Sequence, residues 1–459
     1  SDITKDNKIA LFNKLDINTL NEPLLLYTTP ETIINNSEFI DKLNSFYEKN
    51  KFNYIIIDEA HCVSTWGHDF RPNYLKLKYI RNEFPNTPII ALTASATEKV
   101  KMDITQILNK KKYETIQKSF LRENLVIKIR DKNKNTFFKI EESLKSHYKN
   151  KSGIIYCSSR NKCEELYEKL NSCGISAYFY HAGLTKKLRE EIQKKWIDNK
   201  INVIIATIAF GMGIDKPDVR FVIHYNMPHS LENYYQEIGR AGRDGKVSEC
   251  VLYYNLQDKV IYQKMIEKEK SPSPKKNEYN KNRLNKLKEM CLYLENIIDC
   301  RHALISNHFG EKLTPLTGYC NIYCDNCYQN KDNIINKDMT QLSIYIVNII
   351  LKLKSDASKS KIKQILKGLS YVKRYNKLNE FGKGKMYSDD IVNRVLLYLI
   401  NNKFIKEKII KNGAGFFNDK LLVYEKSKDL LNKKLTIEIP FQKIKKIQEF
   451  FVITRKKNN

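Results

Sequence analysis

No stretch of about 18 apolar residues occurs in the 459-residue chain, so no membrane-spanning helix is expected. No secretory signal opens it, and no repeat with a period of roughly 20 to 50 residues marks it as a solenoid. Nowhere does G-x-x-x-x-G-K-[ST] appear, the loop whose backbone N–H groups cradle nucleotide phosphates. Acidic residues are few: 52 Asp and Glu stand against 80 Lys and Arg, a net charge of +28. That deficit favours a polyanionic partner, nucleic acid first and an anionic membrane surface second. A compositional bias towards Lys and Asn accounts for part of it. The ten cysteines are mostly scattered singly, which excludes a secreted disulfide scaffold and fits a reducing compartment.

What is present is enough apolar sequence, 42%, to build several cores, and a length that suggests about three domains. Up to residue 125, the apolar runs Leu24–Tyr27, Tyr54–Ile57 and Ile89–Leu92 read as strands, with helices near Ser37–Asn50 and Asn73–Phe84. Tyr54–Ile57 has the unbroken apolar character of a strand buried on both faces. A second series begins near Thr136, with strands at Gly153–Tyr156, Ser176–Tyr180, Val203–Ala206, Arg220–His224 and Glu249–Tyr254. Two successive βα series predict an α/β fold with two parallel-sheet lobes facing each other across a cleft. Ser271–Lys276, with two prolines, reads as an exposed loop before a helical stretch from Arg283 to about Phe309. The expected divisions are 1–125, 126–270, 271–335, 336–430 and a Lys-rich tail, 431–459.

Chemistry concentrates after the strands. Asp58-Glu59-Ala60-His61 sets two adjacent carboxylates at the carboxyl end of a strand, where open α/β sheets bind ligands. An NTPase needs one such acid to hold Mg²⁺ and a second to position or activate water; alone, the four residues also suit a plain acidic turn. The segment that follows, with Trp66, His68, Phe70 and Arg71, can stack on single-stranded bases, or its aromatics can pack a local core. Thr93–Thr97 offers hydroxyls to the acidic site or a simple helix start. Thr207–Asp215 holds Gly211 and Gly213, which permit close backbone approach to a ligand, with Thr207 available to phosphate and Asp215 to order the cleft. Gln236–Gly245 sets Arg240 and Arg243 three apart, on one helical face if helical; an arginine here can stabilise charge on a γ-phosphoryl group, or the two form a basic patch.

Cys300, Cys320, Cys324 and Cys327 include a C-x₂-C knuckle and suit a closed tetrahedral Zn²⁺ site. His302 and His308 are alternative ligands, and a disulfide pair is the competing reading. Further on, Ser388 is placed to cap a helix from Asp389 to about Asn401, and two strand-like runs flank Asn412–Phe417: the outline of a winged helix. Lys383, Lys385 and that helix start can grip phosphates. Phe416 or Phe417 can wedge against a base pair or pack the hairpin.

Together these blocks resemble the RecQ family of DNA helicases, most closely its Bloom-syndrome-helicase type. The carriers are Ile57–Arg71, Ala91–Thr97, Ile154–Cys157, Tyr180–Leu184, Ala206–Tyr225, Tyr234–Gly245 and the cysteine cluster. The resemblance implies two RecA-like lobes, a zinc-binding subdomain and a winged helix. It implies an ATP-dependent enzyme that binds single-stranded and forked or branched DNA and unwinds duplex 3′ to 5′, in nuclear recombination, repair and replication, with no membrane partner. By the same likeness Asp58 binds Mg²⁺ through water, Glu59 is the catalytic base, and His61 couples DNA to hydrolysis. Arg243 is the arginine finger, with Arg240 and Gln236 beside it; Gly213 and Asp215 border the nucleotide, and Ser158, Arg160 and Thr207 contact DNA. The family's phosphate loop lies upstream of the Leu24–Pro30 region, so the chain, which opens on Ser1, is expected to start partway through the first lobe. The alternative is a structure-specific DNA-binding module that does not hydrolyse ATP.

Overall fold

The computed structural model describes residues 24–64, 71–108, 113–211, 214–269, 274–311, 313, 320, 322–328, 334–411 and 417–442. Trp66, His68, Phe70, Gly213 and Phe416 lie outside the described residues, as do the side-chain surroundings of Phe417.

Six parallel strands make the largest sheet: β3 (Leu125–Asp131), β4 (Gly153–Tyr156), β5 (Ala177–Tyr180), β6 (Val203–Ala206), β7 (Phe221–His224) and β8 (Ser248–Tyr254). Their order is β3-β8-β7-β4-β6-β5. Side chains alternate between two cores, as the pleat requires. Ile154 and Tyr156 enter a cluster with Trp196, Tyr234 and Met290, whereas Ile155 joins Ile140, Leu166 and Phe221 on the other face. Burial on both faces is why β4, β6 and β7 are nearly continuous apolar runs in sequence. Gly153 is glycine because the Phe221 ring packs there: a Cβ would lie 2.1 Å from it.

β3 is not among the predicted strands. It forms the sheet edge beside β8, with Leu125 on Ser248 through Asp131 on Tyr254. Lys128 and Arg130 interrupt its apolar run, and its second edge is met by the cysteine knuckle, where the Ile127 N–H donates to Tyr323 O at 3.0 Å.

The first lobe shows two parallel strands among its described residues, β1 (Ile55–Ile57) and β2 (Ile89–Ala91). Three expectations need correction here. Leu24–Tyr27 forms no strand. The β1 run is covered on one face only: Ile55 and Ile57 pack against Leu77, Ile80, Phe84 and Val100, while Ile56 is 52% exposed. The expected helix Asn73–Phe84 is two short ones, Pro72–Lys76 and Lys78–Glu83, separated at Leu77.

Pro274, expected in a loop, opens the helix Pro274–Glu295, since proline at the first helical position lacks only an N–H that has no partner there. A separate helix, Arg301–His308, follows. Beyond it, Thr340–Leu353, Lys359–Lys367 and Asp389–Asn401 pack with the antiparallel hairpin β10 (Ile405–Lys411) and β11 (Phe417–Val423) around Leu342, Ile346, Val395 and Leu399. The expected tail contains a strand: β12 (Glu438–Gln442) pairs antiparallel with β9 (Ile334–Asp338). No helix among the described residues is long and apolar enough to cross a membrane.

Candidate active site and metal centre

The acidic turn is built where β1 ends. β1 and β2 run parallel, so Asp58 and Thr93 emerge at the same sheet edge, tied by the Leu92 N–H to Ile57 O and the Ala60 N–H to Leu92 O, both 2.8 Å. Asp58 is exposed, and its Oδ1 accepts the Glu59 N–H at 2.8 Å. Glu59 then takes φ +50° and ψ +41° before the short 3₁₀ turn Ala60–Val63. A non-glycine residue in that region costs about 1–2 kcal/mol, and such strain concentrates at functional sites.

His61 is buried, with 1% of its surface exposed. Its Nδ1 lies 3.0 Å from Thr93 Oγ1 and 3.2 Å from Glu59 Oε2. One imidazole edge therefore bridges the acidic turn and the hydroxyl segment after β2. Thr93 Oγ1 also accepts the Ser95 N–H at 3.4 Å. Ser64 donates to Asp103 on the helix Glu98–Leu108, and the Arg71 N–H donates to Cys62 O, fixing both ends of the intervening segment.

A second group gathers at the carboxyl ends of the six-stranded sheet. Half-buried Ser158 follows β4, where its N–H donates to Asn226 Oδ1 at 3.3 Å, and exposed Arg160 opens the next helix. Half-buried Thr207 follows β6, and its Oγ1 accepts the Ala209 N–H at 3.4 Å. Gln236 lies half-buried on the helix Leu231–Ile238. Arg240 and Arg243 do not share a helical face as expected, because the helix stops at Ile238 and the chain turns through Gly239 and Gly242. Arg240 is 5% exposed and packs by Tyr156, whose hydroxyl donates to Phe210 O and is pushed up by burial. Arg243 projects instead, its Nη1 3.1 Å from Asp215 Oδ1, and Asp215 is 86% exposed. Beneath the turn, His224 Nε2 and Glu237 Oε2 form a buried pair at 2.8 Å.

The Sγ atoms of Cys300, Cys320, Cys324 and Cys327 all lie within 4.8 Å of one another. A tetrahedron with Zn–S bonds near 2.3 Å needs sulfurs about 3.8 Å apart, so the four fit Zn²⁺. The Arg301 and Cys327 N–H groups each reach Cys324 Sγ at 3.4 Å, and hydrogen bonds from Cys300 and Cys320 hold the Cys324 thiol below its usual range. A thiolate is the form a metal requires. The histidine alternatives are excluded by position. His302 Nε2 lies 3.0 Å from Leu125 O and 3.2 Å from Tyr323 O, and His308 Nε2 lies 3.6 Å from Glu232.

Sequence reading missed what holds the knuckle. Arg301, 2% exposed, donates through Nε to Asp325 Oδ1 at 2.9 Å and through Nη1 to Tyr293 O, while Asp325 Oδ2 accepts the Ile129 N–H at 2.8 Å. The signal was a charge placed directly after Cys300 and another after Cys324.

On the winged helix, the Ser388 side chain accepts the Ile391 N–H, capping Asp389–Asn401 as expected. Lys383, Lys385 and Ser388 are exposed. Lys383 Nζ sits 5.6 Å from the Tyr345 ring centre. The helix start also carries Asp389, 3.8 Å from Lys367 and 3.9 Å from Lys363.

Four family descriptions match successive parts of the chain: DEAD/DEAH box helicase at residues 3–103, helicase conserved C-terminal domain at 135–245, RecQ zinc-binding at 256–328 and RQC domain at 333–448. The chain is 39% identical over 445 residues to the ATP-dependent helicase SGS1 of Saccharomyces cerevisiae, covering 95% of this chain and 30% of that protein. It is 37% identical to the RecQ-like DNA helicase BLM of Xenopus laevis, covering 90% and 31%, and 42% identical to the ATP-dependent DNA helicase Q1 of Pongo abelii, covering 73% and 50%. It thus spans about a third to a half of the length of these relatives.

Proposed function

Because the chain belongs to the RecQ family of DNA helicases, we propose that it forms the greater part of an ATP-driven motor that unwinds forked or branched DNA 3′ to 5′, acting in nuclear recombination, repair and replication. The observation that carries this reading is the wiring of the acidic turn: buried His61 reaches both Glu59 and Thr93 through one ring nitrogen. A change at the Thr93 segment then shifts the imidazole that stands 3.2 Å from the carboxylate that would orient water.

In this reading Glu59 takes the proton of the attacking water, and strain at φ +50° holds its carboxylate ready. Mg²⁺, when bound, neutralises phosphate charge; exposed Asp58 fits it, having a second carboxylate oxygen besides the one that accepts the Glu59 N–H. Arg243 stabilises charge on the transferred phosphoryl group, and Arg240 and Gln236 support it. Gly213 and Asp215 border the nucleotide. DNA is held by Trp66, His68, Phe70 and Arg71, by Ser158, Arg160 and Thr207, and by Lys383, Lys385 and Ser388 on the winged helix. The net charge of +28 supports a phosphate-backbone partner.

The test is ATP hydrolysis with and without single-stranded DNA. It is run on the chain alone and on the chain joined upstream to a segment bearing a G-x-x-x-x-G-K-[ST] loop, because the 459 residues contain none. DNA-stimulated hydrolysis by the joined form, lost in Glu59→Gln, supports the motor. DNA binding without hydrolysis in either form favours the non-hydrolysing module instead.

A further inference from the structure

The segment Ser119–Asn124 precedes β3 and runs against the turn that carries Arg243. Arg122 Nη2 donates to Ala241 O and to Gly242 O, both at 3.2 Å. Asn124 Nδ2 donates to Gly242 O at 2.8 Å and to Lys246 O at 3.0 Å. The Gly242 carbonyl thus receives two side-chain donors besides the Gly245 N–H at 3.1 Å, which saturates its acceptor capacity, while the Gly242 N–H is held by Val219 O at 2.9 Å. Both polar groups of the residue before Arg243 are fixed. On the other side, Asp244 N–H donates to Pro217 O and Asp244 Oδ1 accepts from Arg220 at 2.7 Å. Gly242 holds φ +57°, and a Cβ there would lie 2.4 Å from Asn124 Nδ2, so the brace and the turn are fitted to each other.

The brace is itself anchored. The Phe120 N–H donates to Glu311 Oε1 at 2.7 Å, the Tyr235 hydroxyl donates to Phe120 O, and the Phe120 ring stacks on Phe309 at 4.5 Å. From this geometry we infer that Arg122 and Asn124 are positioning residues for Arg243: the chain entering the second lobe sets the backbone from which the finger projects. The inference rests on the reading of Arg243 given above. An arginine that acts on a developing charge is sensitive to displacements of about 1 Å, and the direction of its backbone is set one peptide earlier, at the bond both side chains hold.

Two measurements test this. In the hydrolysing form, Arg122→Gln should lower kcat for ATP about ten-fold or more, with KM changed by less than about three-fold, because only transition-state contact is lost. Arg122→Lys should recover part of it. Arg122→Gln combined with Arg243→Ala should be no slower than Arg243→Ala alone, since a residue acting through another is non-additive with it. In the 459-residue chain, Arg122→Gln should speed amide exchange at Gly242, Asp244 and Gly245 by about ten-fold or more, leaving Gly153–Tyr156 unchanged. Equal loss from Arg122→Gln with and without Arg243, or unaltered exchange at Gly242–Gly245, would overturn the brace. Normal hydrolysis by Arg243→Ala would instead remove the finger reading on which it rests, and altered exchange would show that this failure is distinct.

Discussion

Glu59 is held left-handed between the end of β1 and a 3₁₀ turn, and it is an acid at a position whose backbone favours asparagine or glycine. Function and local stability therefore pull apart there. Glu59→Asn is expected to abolish DNA-stimulated hydrolysis while leaving the melting temperature unchanged or raised by a degree or two, because asparagine enters that backbone region more readily. Calorimetry beside a hydrolysis assay checks both halves. Gly242 is the opposite case. Its φ of +57° and the 2.4 Å approach of Asn124 leave no room for a methyl group, so Gly242→Ala should destabilise the second lobe by more than about 1 kcal/mol and move the arginine turn. A fall in the denaturant midpoint with unchanged slope is the expected signature.

Among the elements, the cysteine knuckle acts as a cover for an open sheet edge. β3 ends the six-stranded order, and Ile127 meets Tyr323 while Ile129 meets Asp325 on its free side. Cys324→Ser should release zinc and speed amide exchange along Leu125–Asp131 as well as in the knuckle, because an uncovered edge strand exposes its N–H groups. Metal content and exchange measured on one preparation test this, and unchanged zinc would contradict the four-cysteine site. The edge position also explains what could be read from sequence. β4, β6 and β7 are buried on both faces, so their apolar runs stood out. β3 mixes Lys128 and Arg130 into its run; β9 lies in polar sequence, and the alternation of Leu435, Ile437, Ile439 and Phe441 that marks β12 is hidden by its Lys-rich surroundings. The acidic turn, the four cysteines and the Ser388 cap were legible because each is local. Arg122 and Asn124 were not, because their partners lie some 120 positions away and only the fold brings them together.

At the scale of the whole molecule, the winged helix is fastened by an ionic triad to the helix Leu256–Lys268, which lies in the stretch matched as RecQ zinc-binding. Glu407 on β10 accepts Lys259 from the helix Leu256–Lys268 at 3.0 Å and also pairs with Lys359. Burial alone would raise the Glu407 carboxyl, but the two lysines outweigh it and hold it at about 2. A carboxyl depressed on folding stabilises above its unfolded value, near 4.3, and that contribution is lost as pH falls through the folded value. The fastening should therefore be intact above about pH 4 and weaken progressively towards pH 2. Glu407→Gln, which leaves buried Lys259 and half-buried Lys359 without their countercharge, should lower the melting temperature at neutral pH and flatten its dependence on pH below 4. An unchanged acid limb in that variant would show that the triad carries no interdomain stability.

Strand displacement on forks with a 3′ or a 5′ tail decides whether this chain belongs to an ATP-driven motor that opens duplex DNA. The protein is the chain joined to an upstream phosphate-binding loop, with Glu59→Gln prepared alongside. A 3′-to-5′ motor gives ATP-dependent opening that requires the 3′ tail, and none by Glu59→Gln despite retained DNA binding. Opening without ATP, equal opening from a 5′ tail, or full activity in Glu59→Gln would contradict it.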